Sequence, residues 1–129
     1  IVAVNAFGEV VDPADGRIVA GVRAARGRGF EPIARILAGH GTTPFGNTTI
    51  GVVVTDATLT REDATDLASQ AHDGLARTIR PVHTRVDGDA FIVLATGRRR
   101  ARAEMIDLIA LQHAAVEAVG AAVVRAVQR

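Results

Sequence analysis

Asn47-Thr48-Thr49-Ile50-Gly51-Val52-Val53-Val54-Thr55 leaves a glycine-rich stretch and runs directly into β-branched residues. Such side chains are stiff at χ1 and pack well on a pleated surface, so residues 49–55 carry the strongest strand signal in the chain. Downstream, Thr60 with Asp63 three residues on has the form of a capping box. Ala64, Leu67, Ala68, Ala71, Leu75 and Ile79 then recur with helical period until Pro81. A tight Asp87-Gly88-Asp89 turn leads into a second strand over 90–95. A final helix is expected over roughly 103–128, with Ile106, Ile109, His113, Val116 and Val123 along one side.

Upstream of the central strand, residues 1–6 read as an internal strand, and Asp12-Pro13-Ala14-Asp15-Gly16 as a turn. Ile18-Val19-Ala20 is the expected returning strand of a hairpin. From 21 to 47 the composition shifts to Gly, Arg, Pro and Thr, with a short helix over 31–38 and Pro32 tolerated in its first turn. An irregular connection of this length is functional or disordered as a rule. The order predicts an α/β (α+β) chain: a mixed sheet with helices packed on it.

Composition narrows the chemistry. The 129 residues are 48% hydrophobic but only 3% aromatic, so the core has to be built from Ala, Val, Ile and Leu. Cysteine is absent, which removes disulfides, thiolate catalysis and Cys-ligated zinc from this segment. All 15 basic residues are Arg, so no Lys base or Schiff base arises here, and Ser69 is the single serine. A net charge of +1 is no electrostatic footprint for nucleic acid. No stretch reaches the roughly 20 unbroken apolar residues of a bilayer span. The expectation is a soluble, cytoplasmic protein without nucleic-acid or membrane partners. Ile1-Val2-Ala3-Val4, a strand with no lead-in, suggests one piece of a larger protein.

Three features bear on catalysis. Thr48 stands where the loop meets the strand. Its hydroxyl needs a base, and a cut between Asn47 and Thr48 would create an α-amine a few atoms away, with an ordinary pKa of about 7.7–8. The plain alternative is a turn-to-strand threonine. Asp87 and Asp89, two apart, would point the same way on an extended chain and repel, unless the pair is a solvated turn. Asn5 interrupts an apolar run; buried, its amide needs a partner and could donate to an oxyanion, or be satisfied structurally. His72 and His113 read as structural, and His40 lies in the loop. His83 with Asp87 and Asp89 lacks any diagnostic metal-ligand spacing. The Arg98-Arg99-Arg100-Ala101-Arg102 run reads as a solvated surface.

These residues fall into a familiar order: Val2-Ala3-Val4-Asn5-Ala6, Asn47-Thr48-Thr49-Ile50-Gly51, Ala71-His72-Asp73-Gly74-Leu75-Ala76-Arg77, Asp87-Gly88-Asp89 and Leu94-Ala95-Thr96-Gly97. The chain resembles the DmpA/NylC family of self-cleaving N-terminal-nucleophile-type hydrolases, which includes L-aminopeptidase/D-amino-acid esterases, β-aminopeptidases and nylon-oligomer hydrolase. The resemblance implies a fragment of a four-layer αββα sandwich and a precursor that cuts itself at Asn47–Thr48. Residues 1–47 would then close the α-subunit region and 48–129 form the β-subunit region. It further implies Thr48 as nucleophile, Asn5 as oxyanion donor, and Asp87 and Asp89 as the acidic pair around it. No cofactor or metal is implied. Expected partners are a small amide or peptide substrate, the remaining N-terminal part of the precursor (the α subunit), and further copies in a homo-oligomer of αβ units.

Overall fold

The structure, a computed structural model, describes residues 1–39, 46–99 and 104–128. In chain order its elements are β1 (Val2–Ala3), β2 (Glu9–Val11), β3 (Ile18–Ala20), α1 (Ile33–Ala38), β4 (Ile50–Thr55), α2 (Arg61–Thr78), β5 (Ile79–Arg80), β6 (Ala90–Ala95) and α3 (Met105–Val127).

The predicted central strand is β4, the middle strand of a mixed sheet ordered β1-β4-β6. β6 runs parallel to it in continuous register from Ile50↔Ala90 to Thr55↔Ala95, and β1 pairs antiparallel through Val2↔Gly51. A parallel neighbour needs a crossover, and α2 supplies it. Its start follows from sequence: Thr60 accepts from the Asp63 N–H while the Asp63 carboxylate accepts from the Thr60 N–H, a complete capping box. Gly51 lets the Phe91 ring lie directly against the β4 backbone, since a Cβ there would come within 2.0 Å of the ring.

α2 and α3 lie side by side and run in the same direction: Gly74 meets Val116 and Val119, and Thr78 meets Gly120. Leu75, Ala71 and Val123 are fully buried, and join Val10, Ile79 and Val119 in one cluster. Burying a leucine of this kind contributes about 1.5–3 kcal/mol. α3 is long and apolar enough in composition to cross a membrane. Here Ala115, Val116, Val119, Gly120 and Val123 form its buried stripe, while Ile106 and Ile109 are exposed. His113, expected on the apolar side, is also exposed. The seam selects the small residues of the second half of α3, which lets the helices approach closely.

The hairpin forms across the predicted 12–16 turn: β3 pairs antiparallel with β2, a strand the sequence pattern does not single out, and β5 completes a second antiparallel sheet ordered β3-β2-β5. Ile79, read from periodicity as the last helical residue, opens β5 instead. Its buried side chain suits helix and strand equally, so period alone does not separate the two. α1 begins at Pro32 without a side-chain cap of its own. The buried Glu9 of β2 takes that place, accepting the Ile33 N–H at 2.9 Å.

The strand pairs β1–β4 and β2–β5 tie residues before position 47 to residues after it. The two regions therefore share one core and are not separate folding units. On the side of the β4–β6 sheet away from the helices, Ile50, Val54, Ile92 and Leu94 are exposed. An open apolar sheet face is what a fragment of a layered sandwich presents.

Candidate active site

The short segment that feeds β4 is laced from both sides. Gly46 turns at φ 98°, a left-handed value that favours glycine. On one flank the Thr48 N–H donates to Asn5 O at 3.0 Å. On the other, Gly88 N–H donates to Asn47 O at 3.1 Å and Ala90 N–H to Thr49 O at 3.0 Å. Asn47 thereby forms a parallel bridge with Asp87. The β1-β4-β6 arrangement thus continues one turn beyond its regular strands, with Thr48 at its centre.

Thr48 is half-buried, and its hydroxyl donates to Asn47 O at 2.6 Å. The carbonyl oxygen of Asn47 accordingly receives two donors, the Thr48 hydroxyl and the Gly88 amide. Gly88 has a second role. A Cβ at this position would stand 3.0 Å from Thr48 Oγ1, so glycine leaves the hydroxyl room. Among the described residues, Asn47 Oδ1 and Thr49 Oγ1 are buried without a hydrogen-bond partner.

The two aspartates do not act on one shared point. Asp87 turns back onto its own loop, where Oδ2 accepts from Thr84 N–H at 2.9 Å and the Thr84 hydroxyl at 2.6 Å. Asp89 alone reaches the segment carrying Thr48: its Oδ1 accepts the Thr49 N–H at 2.9 Å. Its Oδ2 meets His83 Nδ1 at 2.8 Å, and its side chain is only 5% exposed. The repulsion expected for carboxylates two residues apart is relieved because each has its own donors.

Asn5 lies beside Thr48, whose N–H its main-chain oxygen accepts, and it is exposed rather than buried. Its Nδ2 donates to Gly46 O at 3.2 Å, not to Asn47 O. The continuous chain passing in front of it fixes that choice. Three residues on, a Cβ at Gly8 would lie 2.2 Å from Pro81 O, so only glycine lets the chain pass the end of β5 there. A cleft of about 370 Å³ opens alongside, with Asn5, Asn47, Glu9 and Glu31 in its wall.

The sequence offers His83 only as a metal ligand beside Asp87 and Asp89; its hydrogen bond to Asp89 is not legible there, because the partner is six residues away across an irregular loop. The same holds for the Gly88 amide, since main-chain donors carry no residue-type signal. His72 stands behind His83, with ring centroids 4.9 Å apart, and behind Phe91 at 5.0 Å. Burial, then the adjacent His83, hold the His72 imidazole below its ordinary pKa, while Asp89 and Asp73 pull the other way. Among the described residues no group of three or more metal-binding side chains is assembled. His40 and positions 100–102 of the Arg run lie outside the described residues. Arg99 pairs with Asp56 at the surface, at 3.7 Å.

Comparison with known proteins gives this constellation a family. An uncharacterized aminopeptidase of Mycobacterium tuberculosis (strain H37Rv) is 47% identical over 106 residues, covering 75% of this chain and 30% of that protein. One of Mycobacterium leprae is 45% identical over 107 residues, covering 80% of this chain and 30% of its own length. A 6-aminohexanoate-oligomer endohydrolase of Agromyces is 37% identical over 54 residues, 42% of this chain and 15% of that protein. The chain thus spans about 30% of the length of the mycobacterial proteins it matches. The profile described as Peptidase family S58 matches residues 2–129, nearly end to end, and the chain belongs to that family, the DmpA/NylC peptidases.

Proposed function

We propose that this chain carries the cleavage site and nucleophile of a self-processing amide hydrolase, an aminopeptidase-like enzyme acting on small amides or short peptides. One observation carries the reading: Asn47 O sits under both the Thr48 hydroxyl, at 2.6 Å, and the Gly88 amide, at 3.1 Å. A nucleophile next to a carbonyl already polarised by a fixed N–H is the arrangement that acyl transfer needs.

The steps balance without an added cofactor. Thr48 Oγ attacks the Asn47 carbonyl carbon and gives up its proton, and the oxygen of the resulting tetrahedral species is held by the Gly88 N–H. Breaking the C–N bond passes a proton to the leaving nitrogen, giving an ester on Thr48 and a free α-amine. Water hydrolyses the ester, leaving Asn47 with a carboxylate and Thr48 with a free hydroxyl. The new amine, with an ordinary pKa of about 7.7–8, is then the base for the same hydroxyl in later turnover. Departure of Gly46 and Asn47 would release Asn5 Nδ2 and the Gly88 N–H together, two donors for the oxyanion of an incoming amide.

The relatives' names, aminopeptidase and 6-aminohexanoate-oligomer endohydrolase, both denote hydrolysis of an amide bond. They support an amide or peptide substrate. The remaining N-terminal part of the precursor and further αβ copies are the proposed partners, and the open face of the β4–β6 sheet is compatible with such packing. Intact mass of the full-length protein tests the proposal. Two fragments are expected, one beginning at Thr48; Thr48→Ala abolishes both cut and amidase activity, and Thr48→Ser keeps part of each. A folded, uncut and inactive wild type would instead mark a binding or assembly domain.

A further inference from the structure

We propose that His83 is a positioning residue for Asp89, holding one carboxylate oxygen so that the other stays on the Thr49 amide beside the nucleophile. The inference rests on the reading of Thr48 given above. The Asp89 side chain is 5% exposed and has two partners, Thr49 N–H on Oδ1 at 2.9 Å and His83 Nδ1 on Oδ2 at 2.8 Å. A buried carboxylate with one oxygen left unmatched is costly and would reorient or take up a proton. An ionised carboxylate only accepts, so the contact requires the His83 tautomer that carries its proton on Nδ1.

The backbone is bent to make the contact. His83 adopts φ 53°, and it is the one non-glycine among the described residues with a positive φ. Such conformations cost of order 1–3 kcal/mol and persist where surrounding contacts over-determine them. His72, reaching across from α2, packs edge-on against the His83 ring at 4.9 Å and restricts its rotation. The groups seen against His83 are thus Asp89 on its own loop and His72 on α2. Asp87 is directed at Thr84 instead.

Asp89 reaches Thr48 through a single peptide unit, the Thr49 amide. Fixing Asp89 therefore fixes the direction from which the nucleophile enters β4.

The test is the rate of self-cleavage of full-length protein at neutral pH, for wild type, His83→Ala and His83→Asn. Asparagine tolerates the left-handed backbone and can offer an amide N–H near the position of Nδ1, but it carries no charge. His83→Ala is expected to slow cleavage at least about tenfold at neutral pH. His83→Asn is expected to recover much of that loss, because its amide N–H can replace the lost donor to Asp89 Oδ2. A His83→Ala protein that cuts at the wild-type rate overturns the role, as does a His83→Asn protein that cuts no faster than His83→Ala. If the wild type is never cut, the reading of Thr48 fails first, so the two failures are distinguishable.

Discussion

Gly74 and Gly120 occupy the same seam between α2 and α3, yet replacing each with alanine is expected to have opposite effects. A Cβ on Gly74 would stand 2.7 Å from the main-chain oxygen of Val116 and equally close to the Val119 side chain. That oxygen belongs to a helix backbone, so no rotamer change relieves the clash. α3 would have to move off α2, loosening the burial of Val116, Val119 and Val123. Overpacking of this kind costs about 1–3 kcal/mol, and a backbone contact belongs at the upper end. Replacing glycine by alanine within a helix returns about 1 kcal/mol. The net loss expected for Gly74→Ala is therefore about 1–2 kcal/mol. At Gly120 the added Cβ would meet Thr78 Cγ2 at 3.5 Å and Gly74 O at 3.7 Å, ordinary contact distances. There the helical gain stands, and Gly120→Ala is expected to be stabilised by up to about 1 kcal/mol. Urea unfolding of full-length protein in a Thr48→Ala background, followed by far-UV circular dichroism, reads both changes on one continuous chain. Midpoints are compared at constant slope. A Gly74→Ala protein as stable as its parent, or a Gly120→Ala protein as weakened as Gly74→Ala, would refute the close parallel packing of the two helices.

Gly88→Ala sets a Cβ 3.0 Å from Thr48 Oγ1, and a displacement of a few tenths of an ångström there is expected to slow self-cleavage about tenfold. A gel time course of the two fragments reads it, and an unchanged rate would remove glycine's role in making room for the hydroxyl. His72 supplies a pH prediction. Burial and then His83 lower its pKa in the folded chain below the ordinary 6.5. As pH falls below about 6.5 the unfolded chain takes up this proton first, so stability is lost on the acid side. Between about pH 7.5 and about pH 5.5 the unfolding midpoint of His72→Gln should therefore drop less than that of wild type. Equal drops would show that His72 does not carry this loss.

Much of the framework follows from local chemistry. A β-branched run makes β4 and a capping box opens α2. Ala90–Ala95 forms β6 where its pattern predicts, and Met105–Val127 becomes the long final helix. These elements are decided by interactions within a few residues, which is why they can be read from the chain alone. The placement of Thr48, Asn5 and Asp89 around one point was suggested by a family resemblance rather than by periodicity. Short strands are less readable: β2 and β5 have three and two residues, too few for any period, and the strand read over 1–6 is regular only at Val2–Ala3.

What only the tertiary structure decided is which distant groups meet. The pairing of β2 with β5, the capping of α1 by Glu9, and the choice of the small-residue stripe on α3 are all outcomes of packing. So are the different partners of Asp87 and Asp89, two identical side chains separated by one glycine. Residue type states what a carboxylate or an imidazole can do. Which donor it finds depends on how strands far apart in the chain come to share a sheet, and hydrogen bonds over 2.9 Å have no counterpart in a linear pattern.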